Sequence, residues 1–302
     1  MIMKVGSMKI ANINRGYNYF AVIQQRKDIR WWIVWFCGMM LLWLWDFNFL
    51  APLSFQLLST AIVYTFVGAS CAVIFSLTFG WLLGMGMYFL EQGKYKNGKL
   101  PVLFFLNLIR SIPQIVWLLI GYILLTSLIR NQILQTQFEQ LIWMAFVIGI
   151  FCSLEIYDLV RERISHFTKS DYFHAMLCCG MKESRIINIE ILWKSSLSHV
   201  LHKIVSLFGT IILLQCSIDF IISVGLSQDV SLSNFPVTLG SLLAKLDSKQ
   251  DILAVGTYLF DPWQNYQLLF MHLQGVSVAF IIVFTLICFF QIADGMVKQF
   301  DL

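Results

Sequence analysis

Charge is scarce in this sequence. Asp, Glu, Lys and Arg make up 13% of its 302 residues, against roughly a quarter in soluble domains. Apolar residues make up 58%, more than a water-soluble core can absorb, so a soluble globular protein is excluded. The basic residues, although they leave a net charge of +4, sit in short segments between apolar runs, which argues against nucleic acid. Metal-type spacing is also missing. Cys37, Cys71, Cys152, Cys178, Cys179, Cys216 and Cys288 form no CxxC pair or regular framework, and the vicinal Cys178 and Cys179 read as buried or cytosol-facing thiols. His166, His174, His199, His202 and His272 lack a metal-ligand arrangement. No activated nucleophile stands out, so the chain is not expected to be an enzyme. Gly93–Lys99 reads GKYKNGK, but Leu100 occupies the place of the Mg²⁺-binding Ser or Thr of a phosphate loop. Any ATP hydrolysis is therefore expected in a partner. The first apolar run is too long for the core of a cleavable signal and lacks an A-x-A site, so it is expected to stay as an anchor.

What the chain has is long apolar runs, at about 31–50, 58–90, 101–129, 138–156, 197–226 and 266–292. Each is about long enough to cross a bilayer, and together they predict an all-α polytopic membrane protein with six spans. The fourth is the shortest, because Glu139 and Glu155 border its apolar centre. Lys and Arg distribution orients the spans. One side receives Lys4, Lys9, Arg15, Arg26, Lys27 and Arg30, then Lys94, Lys96 and Lys99, then Arg161, Arg163, Lys169, Lys182, Arg185, Lys194 and Lys203, and lastly Lys298. The other receives only Arg130, Lys245 and Lys249. Both termini are thus predicted on the cytoplasmic side. Residues 1–30 form an interfacial segment, 31–296 the membrane domain and 297–302 a tail. A cytoplasmic loop covers 156–196, and an external segment covers 227–265 with a short helix around Val237–Leu246.

Within the runs, Ser76, Gly80 and Gly84 recur every four residues and predict close helix packing. Pro113, in Arg110-Ser111-Ile112-Pro113, removes a backbone donor and predicts a kink and a hinge. Arg110 reads either as a snorkelling, structural residue or as a gate. His199, His202, Ser206, Thr210 and Ser217 share a helical stripe that either hydrogen-bonds a neighbouring helix or lines a path. Gln215 and Asp219 form a second pair, one turn apart.

The loop from Asp158 to Leu201 reads DLVRERISHFTKSDYFHAMLCCGMKESRIINIEILWKSSLSHVL. Its middle, Asp171–Cys179, predicts a short helix stopped by Gly180 in a left-handed C-cap. This loop resembles that of bacterial ABC importer permeases, especially the second permease of the peptide/nickel class, whose signature is E-A-A-x-x-x-G followed by I-x-L-P. The matching residues are Asp171-Tyr172, His174-Ala175-Met176, Gly180 and Ile189-Glu190-Ile191-Leu192-Trp193. His174, Met176 and Trp193 stand where the family has Glu, Ala and Pro. Arg110-Ser111-Ile112-Pro113 is similar to the family's S-I-P or A-F-P segment, and Gln215–Phe220 to its E-A-S-L-S-F stretch. Phe235-Pro236 with Leu239–Leu243 is similar to P-S-W-G-x-L-L, and Ala293-Asp294-Gly295 to G-D-G.

The resemblance implies the type I ABC importer permease fold in the bacterial inner membrane. It implies pairing with a second homologous permease, two cytoplasmic ATPase subunits and an external substrate-binding protein. ATP and Mg would be bound by the ATPases and no cofactor by this chain; peptides or a similar small solute would be the cargo. Asp171, Tyr172, His174, Ala175 and Gly180 are the expected ATPase-docking residues, and Ser206, Thr210, Gln215 and Asp219 the path residues. The alternatives are a structural or regulatory membrane subunit with degenerate docking, and an autonomous secondary transporter or membrane enzyme.

Overall fold

The computed structural model describes residues 26–92, 99–225, 235–244, 246–261, 263 and 274–300. Among them there are helices and no strands. The expected interfacial segment before residue 26 and most of the GKYKNGK turn lie outside the described residues. The helices are α1 (Lys27–Phe49), α2 (Pro52–Gln92), α3 (Lys99–Ser111), α4 (Gln114–Arg130), α5 (Gln137–Phe167), α6 (Asp171–Cys178), α7 (Leu197–Gly225), α8 (Leu239–Leu243), α9 (Leu246–Phe260) and α10 (Gln274–Phe300). One turn at Glu183–Arg185 runs into a π-helical segment, Ile186–Ser195, which delivers the chain to α7.

Five of these helices, α1, α2, α5, α7 and α10, are long and apolar enough to cross a membrane. A sixth crossing requires α3 and α4 to count together, and they are bent by 95° at their junction. The third span expected over 101–129 with a kink at Pro113 is two helices that meet at that proline. Pro113 is the cause: it has no N–H to continue the ladder, and it disfavours helical backbone at Ile112. The bend is tied across the break, where Trp117 Nε1 donates to the Ile109 carbonyl at 3.2 Å and the Trp117 ring stacks on Phe151 at 5.4 Å. Arg110, just before the break, pairs with Asp158 of α5 and lies 5.5 Å from the centroid of the Tyr157 ring.

The fourth run is longer than its apolar centre suggests. Glu139 belongs to the start of α5, not to its membrane-facing length: Thr136 Oγ1 accepts from Glu139 N at 3.3 Å and Glu139 Oε2 accepts from Thr136 N at 3.2 Å, a reciprocal cap. Glu155 meets Lys203 of α7 at 2.8 Å. Helix α5 consequently runs for 31 residues to Phe167, and the loop begins about three turns later than the expected boundary at 156. The segment expected on the external side likewise holds more helix than expected, since α9 follows the short helix at α8, and Asp251 of α9 accepts from Gly275 N at 2.9 Å in the first turn of α10.

The core is the crossing of α2 and α5. A Cβ added at Gly80 would stand 2.5 Å from Ile156 Cβ and 2.6 Å from the Ser153 carbonyl; one at Gly84 would stand 2.5 Å from Val160 Cγ1. Gly149 on α5 returns the contact, its Cβ position lying 2.5 Å from Phe75 Cβ and 2.9 Å from the Ala72 carbonyl. The close packing expected from Ser76, Gly80 and Gly84 is thus present, with Ser76 fully buried. Helix α10 joins α7 to α1. Gly38 of α1 admits the Phe284 ring, Gly295 of α10 meets the Asp28 backbone, and Lys27 Nζ reaches Asp294 Oδ2 at 2.5 Å.

Gly80→Ala is expected to destabilise by about 1–3 kcal/mol, because backbone as well as side chain blocks the new methyl. Gly86→Ala, exposed with nothing within 4 Å of its added Cβ, is expected to be neutral or stabilising by up to ~1 kcal/mol. Thermal midpoints of the two variants in the same detergent check the contrast.

Candidate docking and pathway sites

Helix α6 is short because its ends are specified locally. Asp171 opens it with a negative side chain in the first turn, the favourable sign at a helix N-terminus. Gly180 closes it at φ +79°. There the Gly180 N–H donates to Leu177 O at 2.9 Å and the Met181 N–H to Met176 O at 3.3 Å, the paired bonds of a Schellman C-cap. The expected left-handed glycine stop is in place. An added Cβ at Gly180 would meet nothing within 4 Å, so backbone conformation, and not space, selects glycine there.

Two side chains fix α6 to the rest of the protein. Phe173 and Met176 are buried, whereas Asp171, Tyr172, His174, Ala175, Leu177 and Gly180 are exposed. All five expected docking residues are therefore free to meet a partner. The departures from the family signature have different settings: His174 is exposed, Met176 is one of the two anchors, and Trp193 is 69% exposed.

Sequence reasoning missed the attachment of the loop to α2. Tyr88 OH donates to the Glu183 carboxylate, and Gln92 Nε2 donates to Glu183 Oε1 and to Tyr88 Oη, each at 2.6 Å. Trp81 Nε1 donates to Asn188 Oδ1 at 3.1 Å. Behind these contacts Ile186, Ile187, Ile191 and Leu192 are buried, so the π-helical segment is keyed into the bundle by apolar side chains. The only sequence signal was Tyr88 and Gln92 at i, i+4 near the end of a long apolar run, which indicates a shared helix face but no partner.

A second polar assembly lies farther along α2, at Thr65 in its N-terminal half, about 35 Å from Tyr88. Thr238 caps α8: its Oγ1 accepts from Ser241 N at 3.2 Å, and Ser241 Oγ accepts from Thr238 N at 2.9 Å. Thr238 Oγ1 donates to Asp219 Oδ2 at 2.6 Å, and Thr65 Oγ1 of α2 accepts from Leu239 N at 3.0 Å. Gly240 lets α8 lie on α7, since a Cβ there would stand 2.5 Å from Cys216 O and 2.8 Å from Asp219 Cβ. Gln215 is buried against Gly68, and its Oε1 has no hydrogen-bond partner among the described residues.

The four expected path residues do not form one surface. Ser206 and Gln215, like Thr210 and Asp219, are about 180° apart around α7. Gln215 and Asp219 meet α2 and α8, while Thr210 Oγ1 donates back to Ser206 O at 3.2 Å on the other side. His199, His202, Ser206, Thr210 and Ser217 keep their shared stripe, and Ser217 Oγ also bonds backward, to Leu213 O at 2.7 Å. The cysteines are free thiols: Cys178 and Cys179 are exposed, and Cys152, Cys216 and Cys288 are buried. Among the described residues, no three His, Cys, Asp or Glu side chains gather as metal ligands.

No protein-family model matches this chain, and no curated protein sequence matches it either.

Gly180→Ala is expected to cost about 1 kcal/mol through its left-handed backbone, with Gly180→Asn milder. Faster amide exchange over Asp171–Cys178 in the alanine variant checks this. At the other site, Asp219→Asn, Thr238→Val and the double variant should show a coupling of about 0.5–3 kcal/mol, as directly bonded residues do. Additive losses in thermal unfolding would show that this hydrogen bond contributes nothing.

Proposed function

We propose that this chain is a transmembrane permease subunit of an ATP-driven ABC importer in a bacterial inner membrane. It forms half of the translocation path for peptides or a similar small solute. The observation that carries the reading is α6, a capped helix on a basic loop, held by two buried side chains and exposing the residues that resemble the family's ATPase-docking signature. A short exposed helix between two long apolar helices suits insertion into a groove on a soluble partner.

In this reading both termini and the loop face the cytoplasm, as the Lys and Arg asymmetry favours. Two ATPase subunits bind ATP and Mg and supply the energy. When they close, α6 moves with them. The bonds from Glu183 to Tyr88 and Gln92 then pass that displacement to α2, which holds α8 through Thr65 farther along its length. Helix α2 is 41 residues long, and Thr65 to Tyr88 spans about 35 Å of it, enough to connect a cytoplasmic docking site to the outer end of a path. A second permease completes the path, and an external binding protein delivers cargo. Gln215 and Asp219 sit where α7, α2 and α8 meet, and become the foremost path residues; Ser206 and Thr210 would serve a different surface of the same helix.

Isolation of the native complex tests this. ATPase subunits and a second permease are expected to co-purify, and Ala175→Arg on the exposed face of α6 is expected to weaken ATPase recovery about tenfold, equivalent to ~1.4 kcal/mol, at unchanged membrane yield. Glu183→Gln should keep the ATPases bound while uncoupling their activity from transport. Transport by the purified chain alone, or a native complex without ATPases, would overturn the reading.

A further inference from the structure

The last turn of α1 carries a buried acid in an unfavourable place. Asp46 is 2% exposed and lies three residues before the end of α1, where the carbonyl ends of the helix already give a negative potential and no basic residue offsets it. Ser277 of α10 donates to Asp46 Oδ1 at 2.6 Å. No other side chain among the described residues is bonded to this carboxylate. A buried charge in apolar surroundings is costly without a counter-charge.

Asp46 also lines a groove of about 310 Å³ between α1 and α2, closed at its back by Ile281 of α10. No Lys, Arg or His lines it. Two aromatic rings of its lining, Trp43 and Phe55, lie 6.0 Å apart, and Phe47, behind them and outside the lining, stacks on Trp43 at 5.8 Å and meets Phe55 edge-on at 5.7 Å. Farther along α1 the lining is Met39, Met40 and Phe36, with Phe36 67% and Met40 58% exposed. The mouth therefore opens to the outside of the bundle, the side that faces lipid when α1 crosses the membrane.

We propose that this groove binds a lipid with an ammonium headgroup. The cation sits against Asp46 and the Trp43–Phe55 wall, and an acyl chain runs along Met40 and Phe36. Carboxylate and aromatic faces together favour a cation, and the carbonyl end of α1 adds to the attraction. The depth also fits: Asp46 is one turn from the helix end among Trp43, Trp45, Phe47 and Phe49, the aromatic composition of a membrane interface where headgroups lie. A chain groove leading from a headgroup-level acid suits a bilayer lipid better than a soluble amine. This site is independent of the proposed transport role.

The test uses the purified full chain in detergent, with its thermal midpoint followed by tryptophan fluorescence. Dioleoyl phosphatidylethanolamine is expected to raise the midpoint by about 3 °C or more, and dioleoyl phosphatidylglycerol, which has no ammonium, is not. Asp46→Asn should abolish that preference, and so should Trp43→Leu, whose half-exposed ring can be removed without opening the core. Equal shifts from the two lipids would overturn the proposal, as would a preference that survives both substitutions. Stabilisation by dodecylammonium but not by phosphatidylethanolamine would also overturn it, identifying a free hydrophobic amine as the occupant.

Discussion

The close approach of α2 and α5 is the constraint on which the remaining structure depends. Three glycines make it: Gly80 and Gly84 admit Ile156 and Val160, and Gly149 admits Phe75 and the Ala72 carbonyl. In a membrane, helices gain no hydrophobic advantage from leaving lipid for one another, so van der Waals contact and interhelical bonds must hold them. Glycine on both partners gives that contact its full area. It also makes the interface intolerant, because a single methyl at Gly80 or Gly149 meets backbone as well as side chains.

Once α2 is fixed against α5, two polar attachments fall about 35 Å apart along it. Tyr88 and Gln92, near its C-terminal end, receive Glu183 of the loop, and Thr65, in its N-terminal half, receives the first N–H of α8. These are polar bonds on a predominantly apolar rod. Helix α6 presents an exposed face because Phe173 and Met176 hold its other side down and Gly180 ends it. The proposed coupling route therefore rests on a continuous helix with discrete attachments, which gives it a physical carrier.

Two of the differences between sequence and structure come from contacts that composition does not carry. Glu139 looked like a limit on a span because composition cannot distinguish a charge inside a helix from one capping it; the bonds to Thr136 decide that. Pro113 announced a disturbance but not its angle, since 95° is set jointly by the backbone break, Trp117 and the Arg110–Asp158 pair. Ser206, Thr210, Gln215 and Asp219 lie in one apolar run, yet the pairs take opposite sides of α7. That separation follows from the helical period and was available from sequence. Which side meets α2 and α8 was not.

Sequence by itself determined the features governed by local chemistry and by solvent: apolar runs long enough for membrane helices, their Lys and Arg asymmetry, the small-residue seam on α2, and the short loop helix with its left-handed stop at Gly180. Hydropathy, charge and backbone preference act over a few residues and are written in order along the chain. Tertiary structure alone decided that Glu183 meets Tyr88, that Asp219 meets Thr238, and that Asp46 lies buried beside Ser277, 231 positions away. Those pairings join residues with no local reason to be near each other, and the relative placement of packed helices selects them.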